Sequence, residues 1–195
     1  MIESIDEIIS PNFTLISLNI RSLKRNIDLS KYHISTCNTK PSVICLQEPF
    51  DITNANISIP EYRQTHISRK EKKGRGLIIY IKKEITGFQV ISDLTFINND
   101  IKSLAVSLSH NNTKFLIVNT YRPPAKLRSS YLANINNLNN ISGKAATMKM
   151  NNIIVCGDFN INMDSSDNYT SEFLDTILSR GLKPAINTWT RVTQT

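Results

Sequence analysis

Short apolar segments bounded by turn residues dominate the hydrophobic pattern of the chain, and they predict β-strands. Most are nearly continuous apolar runs, which are typical of strands covered on both faces. In one segment Leu104, Val106 and Leu108 alternate with serines, and the next run follows directly after His110-Asn111-Asn112, which favours a tight hairpin. The predicted strands are 13–20, 42–46, 76–81, 102–109, 114–120 and 152–156.

Apolar residues at helical spacing lie between and after these runs. The first stripe, 23–34, is irregular, and the second, 131–141, ends before Gly143. The third covers 173–178 and follows a candidate cap at position 170 or 171. Strands and helices therefore interleave around at least one antiparallel hairpin. This pattern predicts a mixed α/β sandwich formed by a single domain over residues 1–195.

Composition places the chain in the globular class. It has 195 residues, 40% of them hydrophobic, and its longest apolar runs are far shorter than the ~20 residues that span a bilayer. The acidic residues near the start, Glu3, Asp6 and Glu7, argue against a secretory signal. Three scattered cysteines without metal-type spacing favour a reducing, intracellular compartment. The net charge of +7 favours a polyanionic partner.

Polar residues follow the apolar strands at the points where those strands end, which is where layered α/β folds gather ligand and catalytic groups. Glu48 is a hard oxygen ligand suited to Mg²⁺. A strand period of two would place Asp158 and Asn160 on one side, with Phe159 turned into packing. Tyr121 offers a phenolic donor and Arg122 a bidentate phosphate fork, so the set indicates metal-assisted attack on a phosphodiester. The strand-end residues are Asn19, Glu48, Tyr121, Arg122, Asp158 and Asn160.

The same residues carry a family resemblance that covers nearly the whole chain. Their four motifs, in order, resemble those of the endonuclease/exonuclease/phosphatase superfamily, as do the Gly74-Arg75-Gly76-Leu77 turn and the 187–191 stretch. The amino-acid sequence around Tyr121 and Asp158 is most similar to that of the apurinic-type endonuclease domain of non-LTR (LINE-like) retrotransposons. The four motifs are Asn19, Gln47-Glu48-Pro49, Asn119-Thr120-Tyr121-Arg122-Pro123 and Gly157-Asp158-Phe159-Asn160.

The resemblance implies a DNase I-like four-layer sandwich, two packed mixed β-sheets flanked by helices, and hydrolysis of DNA that depends on Mg²⁺ or Mn²⁺. It implies that Glu48 holds the metal, with Asn19 close to the metal and phosphate. It further implies that Tyr121 binds the scissile phosphate and that Asp158 and Asn160 align the attacking water. In an intact element the nick primes reverse transcription by a downstream reverse transcriptase domain.

The chain departs from the family pattern at its end. The family completes its site with a C-terminal Asp and a Ser-Asp-His motif, and the chain stops at Thr195 before such a segment. None of His33, His66 and His110 stands in a comparable place; His66 reads as a surface residue and His110 as part of the hairpin turn. We therefore expect an incomplete C-terminus that lacks the last strand or strands, and weak or absent nuclease activity.

Basic residues extend the possible nucleic-acid surface. Lys72, Lys73 and Arg75 lie in a basic cluster before the 74–76 turn, and Arg21 follows Asn19. Phosphate-backbone contact and a solvated loop are both compatible with this cluster. Two alternatives to a metal-dependent endonuclease also stay open: a catalytically dead DNA-binding module, and a phosphoesterase of the same fold acting on RNA or a phospholipid.

Overall fold

A computed structural model describes residues 13–49, 57–68, 76–124 and 127–186. The helices are α1 (Leu23–Thr36), α2 (Arg128–Thr147) and α3 (Asn168–Ser179), and a short 3-10 turn covers Ser92–Leu94. The strands are β1 (Leu15–Asn19), β2 (Val43–Gln47), β3 (Tyr62–Ile67), β4 (Leu77–Lys82), β5 (Thr86–Val90), β6 (Phe96–Ile97), β7 (Lys102–His110), β8 (Thr113–Tyr121) and β9 (Asn152–Asp158).

The strands form two mixed sheets. The first has the order β1-β2-β4-β3, in which β1 and β2 are parallel and the other pairs antiparallel. The second has the order β5-β7-β8-β9, with β6 also paired to β7, and here β8 and β9 are the parallel pair. Each sheet thus has a parallel pair at one edge, β1-β2 in the first and β8-β9 in the second.

The predicted hairpin is confirmed between β7 and β8. His110 pairs with Thr113, and the two residues between them, Asn111 and Asn112, have φ angles of 48° and 61°. Two successive positive φ angles are the mark of a type I′ turn, which matches the twist of the flanking strands, and asparagine tolerates them better than most residues. His110 is both the last residue of β7 and the first of the four residues of this turn.

Three apolar layers hold the molecule together. The two sheets face each other across an inner core that includes Val43, Ile79, Val106 and Ile117. The outer face of the first sheet packs on α1, and the outer face of the second packs on α2 and α3. The predicted four-layer sandwich of two sheets flanked by helices is therefore confirmed.

Several predicted boundaries are corrected. The hydrophobic pattern does not predict the strands β3, β5 and β6. Gly143 does not end α2, which continues to Thr147, and α3 begins earlier than expected because Asp167 is its cap. Strand β7 is also covered on its serine face, since Ser103 and Ser107 are buried. The expected loss of C-terminal strands is a prediction that the described residues do not test.

The edge positions of β1 and β9 bring two distant parts of the chain together. These two strands lie against each other, one from each sheet. Their carboxyl ends are Asn19 and Asp158, and the neighbouring strands β2 and β8 end beside them at Gln47 and Tyr121. The carboxyl ends of four strands from two sheets therefore meet at one end of the sandwich.

Candidate active site

Asn19 links the two sheets at this meeting point. Its Nδ2 donates to Glu48 Oε2 at 3.1 Å and to Asp158 Oδ2 at 2.8 Å. Its Oδ1 accepts a hydrogen bond from the backbone N–H of Arg21. Two carboxylates that are 110 residues apart in sequence thus share one amide nitrogen, so they converge on a common point.

Tyr121 extends this network into the second sheet. Its hydroxyl donates to Glu48 Oε1 at 2.6 Å, while the residue itself is buried. Glu48 is also buried, and its two carboxylate oxygens accept from different donors, Tyr121 and Asn19. The four strand-end residues Asn19, Glu48, Tyr121 and Asp158 are therefore brought together as one hydrogen-bonded group.

The backbone at this end of the sandwich adopts conformations that most side chains avoid. Arg21, Ser22, Glu48 and Asn160 have φ angles of 46°, 124°, 54° and 49°, and they account for half of the positive-φ non-glycine residues within the described ranges. The Ser22 N–H donates to the Glu48 carbonyl at 3.0 Å, which helps to hold the turn. Such conformations are costly and concentrate at functional sites, because the surrounding structure must enforce them.

Gly157 allows Asp158 to reach the site. It has a φ angle of 135°, and a Cβ at this position would lie 1.8 Å from the carbonyl oxygen of Thr120 on the adjacent strand. No side chain fits so close to backbone, so the β8–β9 pairing next to the site requires glycine.

Arg122, which the sequence predicts to bind phosphate, lies buried against protein groups. It is 1% exposed, and its guanidinium donates to the carbonyl oxygens of Phe159 and Asn160 and to Ser130 Oγ while lying 4.2 Å from the Tyr131 ring centroid. Burial lowers the pKa of this guanidinium from its ordinary value, against opposing contributions from Tyr131 and Asp158. Arg122 instead fixes the loop that follows Asp158.

Asn160 is also placed differently from the prediction. The strand ends at Asp158, so the period of two does not continue, and the left-handed conformation of Asn160 turns the chain. Its backbone N–H donates to Asp158 Oδ1 at 3.1 Å, and its Nδ2 donates to the Arg122 carbonyl at 2.8 Å. Phe159 packs against Phe173 in the outer core, as expected. Asn160 thus orients the Asp158 carboxylate through its backbone.

Two buried amide side chains beneath the site are not among the predicted site residues. Gln47 Nε2 donates to Asn119 Oδ1 at 2.7 Å, and Asn119 Nδ2 donates to the carbonyls of Leu46 and Ile78. Both residues are almost fully buried, and together they join the two sheets directly. The sequence pattern could have identified them, because each is a polar residue that follows an apolar run and belongs to one of the four motifs.

The basic residues predicted to contact DNA are only partly described. Arg21 is exposed and directly follows Ile20, next to the site. Lys72, Lys73 and Arg75 lie outside the described residues, as do the Gly74–Arg75 part of the predicted turn and the 187–191 motif.

The described side chains of His66, His110, Cys45 and Cys156 are not part of the hydrogen-bonded group. His66 is exposed in β3, as expected, and the His110 ring lies 5.6 Å from that of Phe13. Cys45 and Cys156 are buried free thiols in contact between the sheets, and burial raises the pKa of the Cys45 thiol. Within the described ranges, no cluster of three or more His, Cys, Asp or Glu residues is present.

The donor atoms fit a hard divalent cation. Glu48 and Asp158 supply two carboxylates around one point, and Mg²⁺ is commonly held by one or two carboxylates together with substrate phosphate and water. The absence of sulfur and imidazole from the hydrogen-bonded group argues against a structural zinc site. Glu48 would hold such an ion with Asn19 beside it, and Asp158 lies on the other side of the Asn19 amide.

None of the helices in the described ranges combines the length and the apolar character needed to cross a membrane.

Solved structures share this fold. The endonuclease domain of TRAS1, a telomere-specific non-LTR retrotransposon, matches with a TM-score of 0.64 and 18% identity, over 88% of this chain and 73% of that one. The human Nocturnin catalytic domain with a bound sulfate anion has the same TM-score and identity, over 88% and 72% of the two chains. The 3′ phosphatase NExo from Neisseria, bound to a product DNA hairpin, matches at 0.57 and 13%, over 83% and 70%.

No curated protein sequence matches the chain. The sequence pattern that defines the endonuclease/exonuclease/phosphatase family, however, matches residues 16–194. This range begins in β1 and includes all four motifs. The chain therefore belongs to the endonuclease/exonuclease/phosphatase family.

Proposed function

We propose that the chain is the metal-dependent endonuclease domain of a non-LTR retrotransposon, which nicks target DNA so that reverse transcription can be primed there. One observation carries the catalytic part of the proposal: the Glu48 and Asp158 carboxylates converge on the Asn19 amide, at 3.1 and 2.8 Å, from opposite sheets. In a metal-dependent site for a phosphodiester, one carboxylate of such a pair can hold a cation while the other orients water.

We assign a role to each residue of the group, and the contacts of these residues support the assignment. Glu48 and Asn19 bind Mg²⁺ or Mn²⁺, which when bound neutralises charge on the phosphate oxygens. Tyr121 exchanges its hydrogen bond to Glu48 for one to the scissile phosphate. Asp158 accepts a proton of the attacking water, and the hydrogen bonds from Asn19 and Asn160 hold its carboxylate in position. Asn160 acts as a positioning residue in this scheme.

DNA is the proposed substrate for two reasons. The chain carries a net charge of +7, which favours a polyanion, and Arg21 is an exposed cation beside Asn19. The similar structures include a retrotransposon endonuclease domain and a phosphatase bound to a DNA hairpin. We propose a downstream reverse transcriptase domain as the partner in an intact element, acting in the nucleus or cytoplasm.

Plasmid nicking tests the proposal. Supercoiled plasmid is incubated with the chain in Mg²⁺, in Mn²⁺ and in EDTA, and the relaxed circle is quantified over time. We expect slow, metal-dependent nicking that falls by at least about 10²-fold in Glu48→Gln and Asp158→Asn. Glu61→Gln is the matched control, because Glu61 is an exposed carboxylate that pairs with Lys40 away from the site.

Other outcomes contradict the proposal in distinct ways. DNA binding without nicking in any metal indicates a catalytically inactive binding module. Hydrolysis of RNA or of a phospholipid, but not of DNA, indicates a different phosphoesterase. Nicking that survives in EDTA or in both variants contradicts the assigned site.

A further inference from the structure

Three flat side-chain groups are stacked beside the loop that follows Asp158. The guanidinium carbon of Arg122 lies over the Tyr131 ring, 4.2 Å from its centre. The rings of Tyr131 and Tyr169 are parallel to within 14°, and their centres are 4.6 Å apart. A guanidinium and a phenol ring are too large to share one face of a tyrosine at these distances, so they cover opposite faces of Tyr131. The three groups form a continuous stack, which we call the tyrosine column.

One end of the tyrosine column is buried and the other reaches the surface. Arg122 is 1% exposed, and its guanidinium donates to the carbonyl oxygens of the two residues after Asp158. Tyr131 and Tyr169 are only partly buried, and they lie in the first turns of α2 and α3. Since Tyr131 covers one face of the Tyr169 ring, a further flat group can stack on the opposite face. The column thus runs from the backbone next to Asp158 toward solvent.

Packing between the helices does not by itself require two tyrosines here. Apolar side chains of the outer core, including Leu138 and Phe173, already join α2 to α3. A pair of aliphatic side chains at positions 131 and 169 would add a similar contact. Tyrosine is instead enriched at binding surfaces, because its ring is apolar while its hydroxyl can stay in water. The outer end of the tyrosine column therefore has the chemistry of a surface that binds a flat group.

The charges beside the tyrosine column distinguish a base from a phosphate. Arg128 is an exposed cation three residues before Tyr131, on the same side of α2. Asp167, the cap of α3, is an exposed carboxylate two residues before Tyr169. A phosphate is attracted to Arg128 and repelled by Asp167, whereas an uncharged base is affected little by either. The arrangement fits a nucleotide whose phosphate lies toward Arg128 and whose base lies on Tyr169.

We propose that the outer face of Tyr169 is a stacking site for an unpaired nucleobase of the DNA strand whose phosphate is bound at the candidate active site. This inference rests on the proposed function and adds a second point of contact with the substrate. The two points are linked, because the Arg122 N–H donates to the Asp158 carbonyl at 2.9 Å while the Arg122 side chain supports the column. Every base has a face that can stack, so the site tolerates different bases.

Two single-stranded oligonucleotides of equal length test the stacking site. One is oligo(dT), and the other has the same phosphates but abasic sugars throughout. Affinity is measured by fluorescence anisotropy in EDTA at one fixed salt concentration, because phosphate contacts depend on salt. We expect Tyr169→Leu to bind oligo(dT) roughly tenfold more weakly than wild type does, as the loss of one stacked base predicts. The abasic strand is expected to bind both proteins equally.

Matched variants separate stacking from folding. Tyr169→Phe keeps the ring and is expected to bind both strands as wild type does. Tyr32→Leu is the control, since Tyr32 is an exposed tyrosine of α1, on the outer face of the other sheet. Thermal unfolding followed by circular dichroism shows which variants fold, and Tyr169→Gln replaces Tyr169→Leu if the latter does not. An unchanged affinity of the folded variant for oligo(dT) overturns the proposal, as does an equal loss of affinity for both strands.

The failure of the proposed function is distinguishable. Plasmid nicking that Glu48→Gln abolishes, combined with oligo(dT) binding that is insensitive to Tyr169→Leu, overturns this inference alone. Oligo(dT) binding that depends on Tyr169, without any nicking, supports the stacking site and contradicts the catalytic part of the proposed function. If wild type binds neither strand, the stacking site is wrong, and if it also fails to nick plasmid, both proposals are wrong.

Discussion

At the scale of single residues, position 157 is the one where the structure most clearly requires glycine. Replacement by alanine places a Cβ 1.8 Å from the Thr120 carbonyl oxygen and forces an L-residue to a φ of 135°. We expect Gly157→Ala to lower the free energy of unfolding by at least about 3 kcal/mol, from strain and overpacking together.

Gly143 provides the control for this substitution. It lies within α2, and nothing comes within 4 Å of a Cβ added there. Gly143→Ala is expected to raise the free energy of unfolding by roughly 0.5–1 kcal/mol, because alanine favours the helix. Urea unfolding of both variants measures the difference. Equal effects in the two variants contradict the close approach of β8 and β9.

The strand-end rule identified Asn19, Glu48, Tyr121 and Asp158, which the structure brings into one hydrogen-bonded group. Strand ends can be located from local patterns, whereas the chain after Asp158 follows a turn that no periodicity describes. For this reason the expected strand period of two does not extend to Asn160. The burial of Lys102 was equally inaccessible, because it depends on the cross-strand partner 19 residues away.

At the scale of elements, the start of α3 is fixed by a charged cap. Asp167 Oδ1 accepts from the Thr170 N–H at 2.8 Å, and Ser165 Oγ donates to Oδ2 at 2.6 Å. The bond from Ser165, followed by that from the Thr170 N–H, lowers the pKa of the Asp167 carboxyl. A carboxyl whose pKa is lower in the folded state stabilises that state above the unfolded pKa and loses the effect as the pH falls through the folded pKa.

Asp167→Asn isolates the charge, because asparagine also caps helices well. We expect the variant to be less stable than wild type at about pH 7, with the difference disappearing as the pH falls through the lowered pKa of the folded-state carboxyl. Urea unfolding across this range measures it. A difference that grows on acidification contradicts the assigned cap.

The strands that escaped prediction have a common physical character. β3 and β5 are the outer strands of their sheets, and their polar composition suits an edge that faces solvent. β6 has only two residues, too few to show a pattern. These segments become strands because β4 and β7 provide their hydrogen-bonding partners. The buried strands, in contrast, can be predicted from their own apolar runs.

At the scale of the whole molecule, Gln47 and Asn119 connect the two sheets through buried hydrogen bonds. Asn119→Leu leaves Gln47 and the Leu46 and Ile78 carbonyls without this partner, and we expect a loss of about 2–3 kcal/mol in the free energy of unfolding. Gln47→Leu is expected to be similarly costly. Because the two residues share one bond, the double variant loses less than the sum, as urea unfolding of all four proteins measures. Strict additivity contradicts a direct link.

The shared amide of Asn19 also has a consequence for the order of folding. It joins Asn19 to Glu48, 29 residues away in sequence, and to Asp158, 139 residues away. The group therefore cannot form until both ends of most of the described chain have folded against each other. Contacts so distant in sequence are slow to close. An intermediate with only one sheet assembled has no complete site and cannot bind through it. A ligand held between Glu48 and Asp158 therefore raises the melting temperature of the entire sandwich, because it binds only after the last sheet has docked.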